Sequence, residues 1–174
     1  QKYFTQNLKL KQELKDTAGI SESYINLGHT SLDMSDFKDA IRYFEMAIPF
    51  VKKLEKKNLT ADRPSATLSD DLLSSIYIGL AEANAKTKHL ETAIQYGDSG
   101  LVTAKKMNNK VRINEAYKVL SEIEKVRQRF EEALNYSELF YAYQDSIFSE
   151  QKVNQIAELE PKYETEKKEQ TISL

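Results

Sequence analysis

The string with the sharpest chemical outline is Gly97-Asp98-Ser99-Gly100, a carboxylate and a serine bracketed by glycines. A nucleophilic serine needs a strained turn, a histidine within hydrogen-bond reach and amide donors for the developing oxyanion. The flanking sequence has helical apolar spacing instead, and in a helix the two glycines let a neighbouring element approach closely. His29 and His89 are the only histidines, and neither stands in a metal-ligand spacing such as His-Glu-x-x-His. The absence of cysteine removes thiolate nucleophiles, disulfides and cysteine metal sites together. Neighbouring carboxylates at Asp70-Asp71, Glu131-Glu132 and Glu158/Glu160 have nothing in the sequence to enclose them and read as surface charge. No catalytic residue, metal or cofactor is expected from this inventory, so the polar residues must act by binding.

Composition narrows what they can bind. The 174 residues are 40% hydrophobic and 30% charged with only 5 Gly and 3 Pro, too apolar for a disordered chain and too poor in turn formers for an all-β one. The formal charge of -2 leaves no net basic field for nucleic acid. The basic runs at 51–57 and 105–112 read as solvated helix faces and ends. No apolar run approaches the roughly 20 residues that span a bilayer, and the first residues lack the apolar stretch of a signal peptide.

The elements that position the polar residues come from an internal repeat. Three segments align without gaps from Tyr24, Tyr77 and Tyr117, each followed by Leu27, Leu80 or Leu120 and then a small residue, Gly28, Ala81 or Ser121. Further along come Phe37, Leu90 and Phe130, then Ala40, Ala93 and Ala133, then Ile41, Ile94 and Leu134, then Tyr43, Tyr96 and Tyr136. The offsets are 77 − 24 = 53 and 117 − 77 = 40, a unit of about forty residues with one insertion of thirteen, 58–70. Apolar positions recur at three and four, so each unit predicts two helices, with breaks at 33–36, 86–89 and 126–129. Ser35 or Asp36 is the natural cap after the first break. The small residues allow the two axes of a unit to approach to about 8–10 Å. The insertion reads as a loop held by Pro64 with Ser69 or Asp70 capping the next helix, and Pro49 predicts a kink in its helix.

These positions resemble the tetratricopeptide repeat, an aromatic followed by Leu-Gly and then Ala, Phe and Ala in the second helix. The first unit carries Tyr24, Leu27, Gly28, Ala40, Phe44 and Ala47, whereas the second has Gly97 and Gly100 at the Phe and Ala places and the third Ser137 and Phe140. The resemblance implies an all-α, right-handed superhelical array of antiparallel helix pairs: a half repeat at 1–18, repeats at 19–57, 71–109 and 111–148, and a closing connector helix at 149–174. It also implies that first helices line a concave face. Counting from each repeat start puts Glu22, Ile25, His29, Leu32 and Asp33 there, with Ser75, Ile78, Glu82, Ala85 and Lys86 from the second unit. Glu115, Lys118, Glu122, Lys125 and Val126 follow from the third. The Lys/Asn set by which some tetratricopeptide proteins clamp a terminal carboxylate is replaced by Ile25, His29, Ile78 and Glu82.

The aromatic run at 136–148 is expected to pack the last repeat against a following helix. Beyond it, Val153, Ile156, Leu159 and Tyr163 form a narrow apolar stripe suited to a neighbour or to a second copy of the chain, a homodimer through the C-terminal helix. The closing "ELEPKYETEKKEQTISL" resembles the segment that joins tetratricopeptide arrays to a membrane span and kinase module in sensor histidine kinases of Bacteroidetes-type bacteria, with Pro161 as a departure. That implies a non-catalytic sensor region in the periplasm, cut before its membrane span, with a protein or peptide partner or a small ligand on the concave face. The alternatives are the interaction domain of a soluble, cytoplasmic tetratricopeptide transcriptional regulator and a plain protein-interaction scaffold.

Overall fold

The computed structural model describes residues 11, 13–58 and 66–172. Among them the chain is all-helical: α1 (Thr17–Asp33), α2 (Phe37–Asn58), α3 (Ala66–Lys86), α4 (Leu90–Lys106), α5 (Lys110–Val126) and α6 (Phe130–Ile172). Each helix packs against the next, and in addition α1 packs on α3 and α3 on α5. The odd-numbered helices thus form a continuous layer. The sequence reason lies in α3, whose apolar and small residues fall on more than one side, as in a helix buried on several sides. Ile76, Leu80 and Ala83 join a core shared with α1 and α2, while Ile78 and Ala81 join a second core with α4 and α5.

The turns repeat more strictly than the helices. Lys15, Ser35, Lys88, Asn108 and Gln128 all have φ between 52° and 64°, and the spacings 35 − 15, 108 − 88 and 128 − 108 are each 20 residues. Only the step from Ser35 to Lys88, which contains the insertion, departs. At each turn the amide that follows reaches back across the helix end: Asp16 to the Lys11 carbonyl, Asp36 to Ser31, His89 to Asn84, Asn109 to Ala104 and Arg129 to Glu124, at 2.8–3.1 Å. This is the left-handed closure of a helix C-terminus, usually given to Gly or Asn. Asp36 then caps α2 through Asp39 N at 3.4 Å, as the sequence predicts, while Ser35 supplies the left-handed residue. Asn109 caps α5 through Arg112 N at 3.2 Å, and His89 makes no side-chain cap.

Small residues occur where helices touch. Phe44 is fully buried between α1 and α3: a Cβ on Gly28 would lie 2.6 Å from its ring and one on Gly79 2.4 Å. In the third unit Ser121 donates to the Ala133 carbonyl at 3.0 Å, so the two small positions of that unit meet directly. The glycines of Gly97-Asp98-Ser99-Gly100 face inward: a Cβ on Gly97 would strike Leu120, and one on Gly100 would strike Ile78. Ser74 Oγ donates to the Gly100 carbonyl at 3.0 Å, while Ser99 is exposed and donates to the Gln95 carbonyl of its own helix.

Two boundaries differ from expectation. Residues 66–70 belong to α3 and not to a loop, so Ser69 and Asp70 are internal to the helix and cap nothing. Burial of Ser69 and the 2.9 Å pair between Asp70 and Lys106 give that extra helical turn a contact with α4. Pro64 and residues 1–10 of the half repeat lie outside the described residues. Pro49 stands on the exposed side of α2 without ending it. The segment 149–174 is not a separate helix; up to Ile172 it continues α6, and Tyr136, Phe140 and Tyr143 pack back against α5 and its core instead of against a following helix.

Two substitutions test this account. Gly79→Ala gains about 1 kcal/mol of helix propensity but collides with Phe44, which Gly28 boxes from the other side; a net loss of about 1–2 kcal/mol is expected in denaturant unfolding. Gln128→Gly relieves a left-handed side chain and should gain about 0.5–1 kcal/mol by the same measurement.

Candidate functional site

The layer of α1, α3 and α5 presents a groove whose walls are built at one recurring register. Two residues before each repeat tyrosine stand Glu22, Ser75 and Glu115, one after it Ile25, Ile78 and Lys118, and five after it His29, Glu82 and Glu122. Residues spaced three and four apart share a helix face, so each helix contributes one stripe. A cavity of about 230 Å³ is lined by His29, Ile78, Gly79, Glu82, Arg112, Glu115, Lys118, Val119 and Glu122. A second, of about 420 Å³, is lined by Glu22, Ile25, Asn26, His29, Leu72, Ser75 and Arg112. His29 and Arg112 border both and join them into one depression. Smaller hollows extend it past Ala85, Lys86 and Val126 on one side and past Lys125, Ser137 and Tyr141 on the other.

Most of the sequence-predicted positions therefore come together, with two qualifications of role. Leu32 packs against the first core, and Asp33 is exposed at the end of α1. Ile25, Ser75 and Ile78 are almost wholly buried and form floor, not reachable wall. Arg112 was missed by sequence reasoning, which took the run at 105–112 for a solvated helix end. Extending the α5 stripe one turn back from Glu115 reaches it.

Several polar groups of the groove are already paired. His29 Nε2 lies 3.0 Å from Ser75 Oγ, linking α1 to α3, and its ring meets Phe44 edge-on at 5.0 Å between centroids. Arg112 holds Asp71 of α3 at 3.3 Å and Glu115 of its own helix at 2.9 Å, while Asn109 donates to the same Asp71 oxygen at 2.9 Å. Lys86 and Glu122 approach to 3.9 Å between α3 and α5. Burial lowers the His29 pKa from 6.5, and the Arg112 charge adds to the effect against opposition from Glu115 and Asp33. Burial raises the Glu82 pKa, with Glu122 adding repulsion that Lys86 and Lys118 partly offset. Burial works against the Arg112 charge, but Glu115 and Asp71 outweigh it and keep the guanidinium protonated.

Such an arrangement offers orientation and charge to a ligand. Among the described residues no group of His, Asp and Glu is placed to hold a metal ion, and no helix is long and apolar enough to cross a membrane. No family model matches the chain, and no curated protein matches it.

The depressed His29 pKa has a direct consequence for stability. Folding favours the neutral imidazole, so its contribution is complete above the unfolded value of 6.5 and is lost as pH falls from 6.5 toward the lower folded value. Glu82, shifted upward, works in the opposite sense at lower pH, so the difference between wild type and His29→Gln isolates the histidine. Urea midpoints measured from pH 7.5 to 5 should fall more steeply for wild type than for His29→Gln.

Proposed function

We propose that the chain is a non-catalytic binding module, a right-handed superhelical array of antiparallel helix pairs of the tetratricopeptide kind, whose α1–α3–α5 groove takes a segment of a protein or peptide partner. The observation that carries this reading is the continuity of the two larger cavities through His29 and Arg112, which gives a depression spanning three helices. An extended peptide matches that form better than a compact ligand does, and the alternation of Glu82, Lys118, Glu122 and Lys125 along it offers charge pairs at several points.

The setting we propose is the sensor region of a two-component histidine kinase, with the groove on the periplasmic side. Support comes from α6, which runs as one helix through Pro161, the residue expected to interrupt a signalling connector. An unbroken helix of 43 residues, about 64 Å long, can carry a displacement at the groove to an output module. The contacts of Asn114 with the Phe140 carbonyl and of Lys110 with Ser146 tie α5, a groove helix, to α6.

Peptides selected from a random display library on the folded chain should bind wild type at least about tenfold more tightly than Lys118→Glu or Glu82→Lys, with helicity unchanged by circular dichroism. Failure to enrich any peptide, or equal affinity for wild type and both variants, would remove the groove as the binding site.

A further inference from the structure

Two hollows of the groove lie on either side of α5 and differ in charge. The one between α3 and α5, about 230 Å³, has Ile78, Gly79 and Val119 as an apolar floor and is bordered by Glu82, Glu115 and Glu122 with Arg112 and Lys118. Arg112 is engaged with Asp71 at 3.3 Å and with Glu115 at 2.9 Å. That leaves Glu82 and Glu122, which stand at the same place in their repeats and line this hollow from opposite helices. Lys86 comes no closer to Glu122 than 3.9 Å, and among the described residues Glu82 has no cation within 4 Å. Burial and the neighbouring Glu122 both work against the Glu82 charge.

The hollow between α5 and α6, about 160 Å³, has the opposite bias. Lys118 and Lys125 line it and are both exposed. Glu122 lies within one turn of each on the same helix, yet among the described residues neither lysine has a carboxylate within 4 Å. The wall from α6 is aromatic: the Phe140 and Tyr141 ring centroids are 5.1 Å apart, and Tyr141 is 61% exposed. Lys118 and Glu122 border both hollows and form the crest of α5 between them.

We infer that the groove reads its partner by a pair of opposite charges, a lysine or arginine side chain seated between α3 and α5 and an aspartate or glutamate seated between α5 and α6. The inference rests on the proposal that this groove takes a peptide segment, and it names what that segment must carry. An apolar floor below free carboxylates suits a side chain with a methylene stem and a terminal cation. A bare metal ion is a poorer occupant, because among the described residues no group of carboxylates and histidines is placed to hold one. Between α5 and α6 the ammonium groups of Lys118 and Lys125 attract a carboxylate, and the rings of Phe140 and Tyr141 offer its stem apolar contact. The hollows are separated by one helix, about 8–10 Å, which an extended chain at roughly 3.3 Å per residue crosses in about two or three residues. A segment with two like charges at that spacing would set one of them against its own sign, and repulsion would exclude it.

Peptides selected on the wild-type chain from a random display library should carry Lys or Arg at about that spacing from Asp or Glu. For one such peptide, replacing its basic residue by norleucine keeps the stem and removes the charge, and should weaken binding about tenfold in titration calorimetry. Glu82→Gln should weaken it as much, and the two changes together should weaken it little further, because they remove one contact. The same cycle should hold between the peptide's acidic residue and Lys125→Met, whereas Glu82→Gln combined with loss of that acidic residue should be additive. Both variants replace half-buried or exposed side chains by ones of similar size, so circular dichroism should show helicity unchanged. Selected peptides that lose affinity for Glu82→Lys or Lys118→Glu but show no charge pair, additive losses in either matched cycle, or indifference to Lys125→Met would overturn this inference and leave the groove reading standing. Failure to enrich any peptide, or equal affinity for wild type, Glu82→Lys and Lys118→Glu, would remove both.

Discussion

The packing of Phe44 between Gly28 and Gly79 is the constraint from which the rest of the layer follows. A benzyl ring enclosed on two sides by backbone fixes the separation of α1 and α3 closely, because close-packed interiors do not absorb even a methyl group without displacement. That separation sets where His29, one residue after Gly28, can reach Ser75, four residues before Gly79. The edge-on contact of the imidazole with the same Phe44 ring then makes the floor of the groove and the core of the fold a single object. The α3–α5 junction uses other means. There the register is held by Arg112 and Asn109 on Asp71, while Leu120 fills the space left at Gly97 of α4.

Several charged groups at the groove are paired, although among the described residues Ser31 and Ser69 of the same layer are buried without a hydrogen-bond partner, and the pairing governs what the groove can do. A buried or half-buried charge is costly unless matched, and Arg112 is matched twice. A ligand therefore meets a surface whose charges are oriented in advance, so little ordering is left for the binding step. Glu82 has a carboxylate that burial and Glu122 together disfavour. Glu124, buried at the end of α5 and held by Arg127 at 3.0 Å, belongs to the turn into α6 and not to this surface.

The helix pairs, their breaks and most of the groove positions were readable because each rests on local spacing that recurs three times. The regularity of the turns was less visible: the five left-handed residues, spaced by twenty except across the insertion, are Lys, Ser, Lys, Asn and Gln, and among them only Asn gives a compositional sign of positive φ. The start of α3 was misplaced because Ser69 and Asp70 resemble caps, and what overrides them is tertiary, a pair with Lys106 thirty-six positions away. Arg112 was overlooked for a similar reason. Its neighbours in sequence are solvated, and only the approach of Asp71 and His29 from other helices makes it part of a site. Ile25 and Ile78 were counted on the right face, but periodicity does not reveal depth, and the layer buries them.

The two surfaces of the molecule differ in kind, and the difference bears on how they can be coupled. The groove carries polar walls and is shaped by three helices, so a ligand seated there as proposed would act on the relation of α1, α3 and α5. The outer face of α6 exposes Phe130, Leu134, Phe148, Ile156 and Leu159 with charged residues among them and is carried by one helix. The connection between them is α5, which lines the groove on one side and binds α6 on the other through Tyr117 against Tyr136 and Tyr143, Ser121 against Ala133 and Ser137, and Asn114 against the Phe140 carbonyl. Lys118 and Glu122, in the groove, lie within one turn of Tyr117 and Ser121. A shift of α5 by ligand contact at the first pair cannot occur without moving the second, because packed helices slide as units and do not deform continuously. Coupling of the two surfaces therefore requires no flexible element, only that α5 have one position with the groove empty and another with it filled.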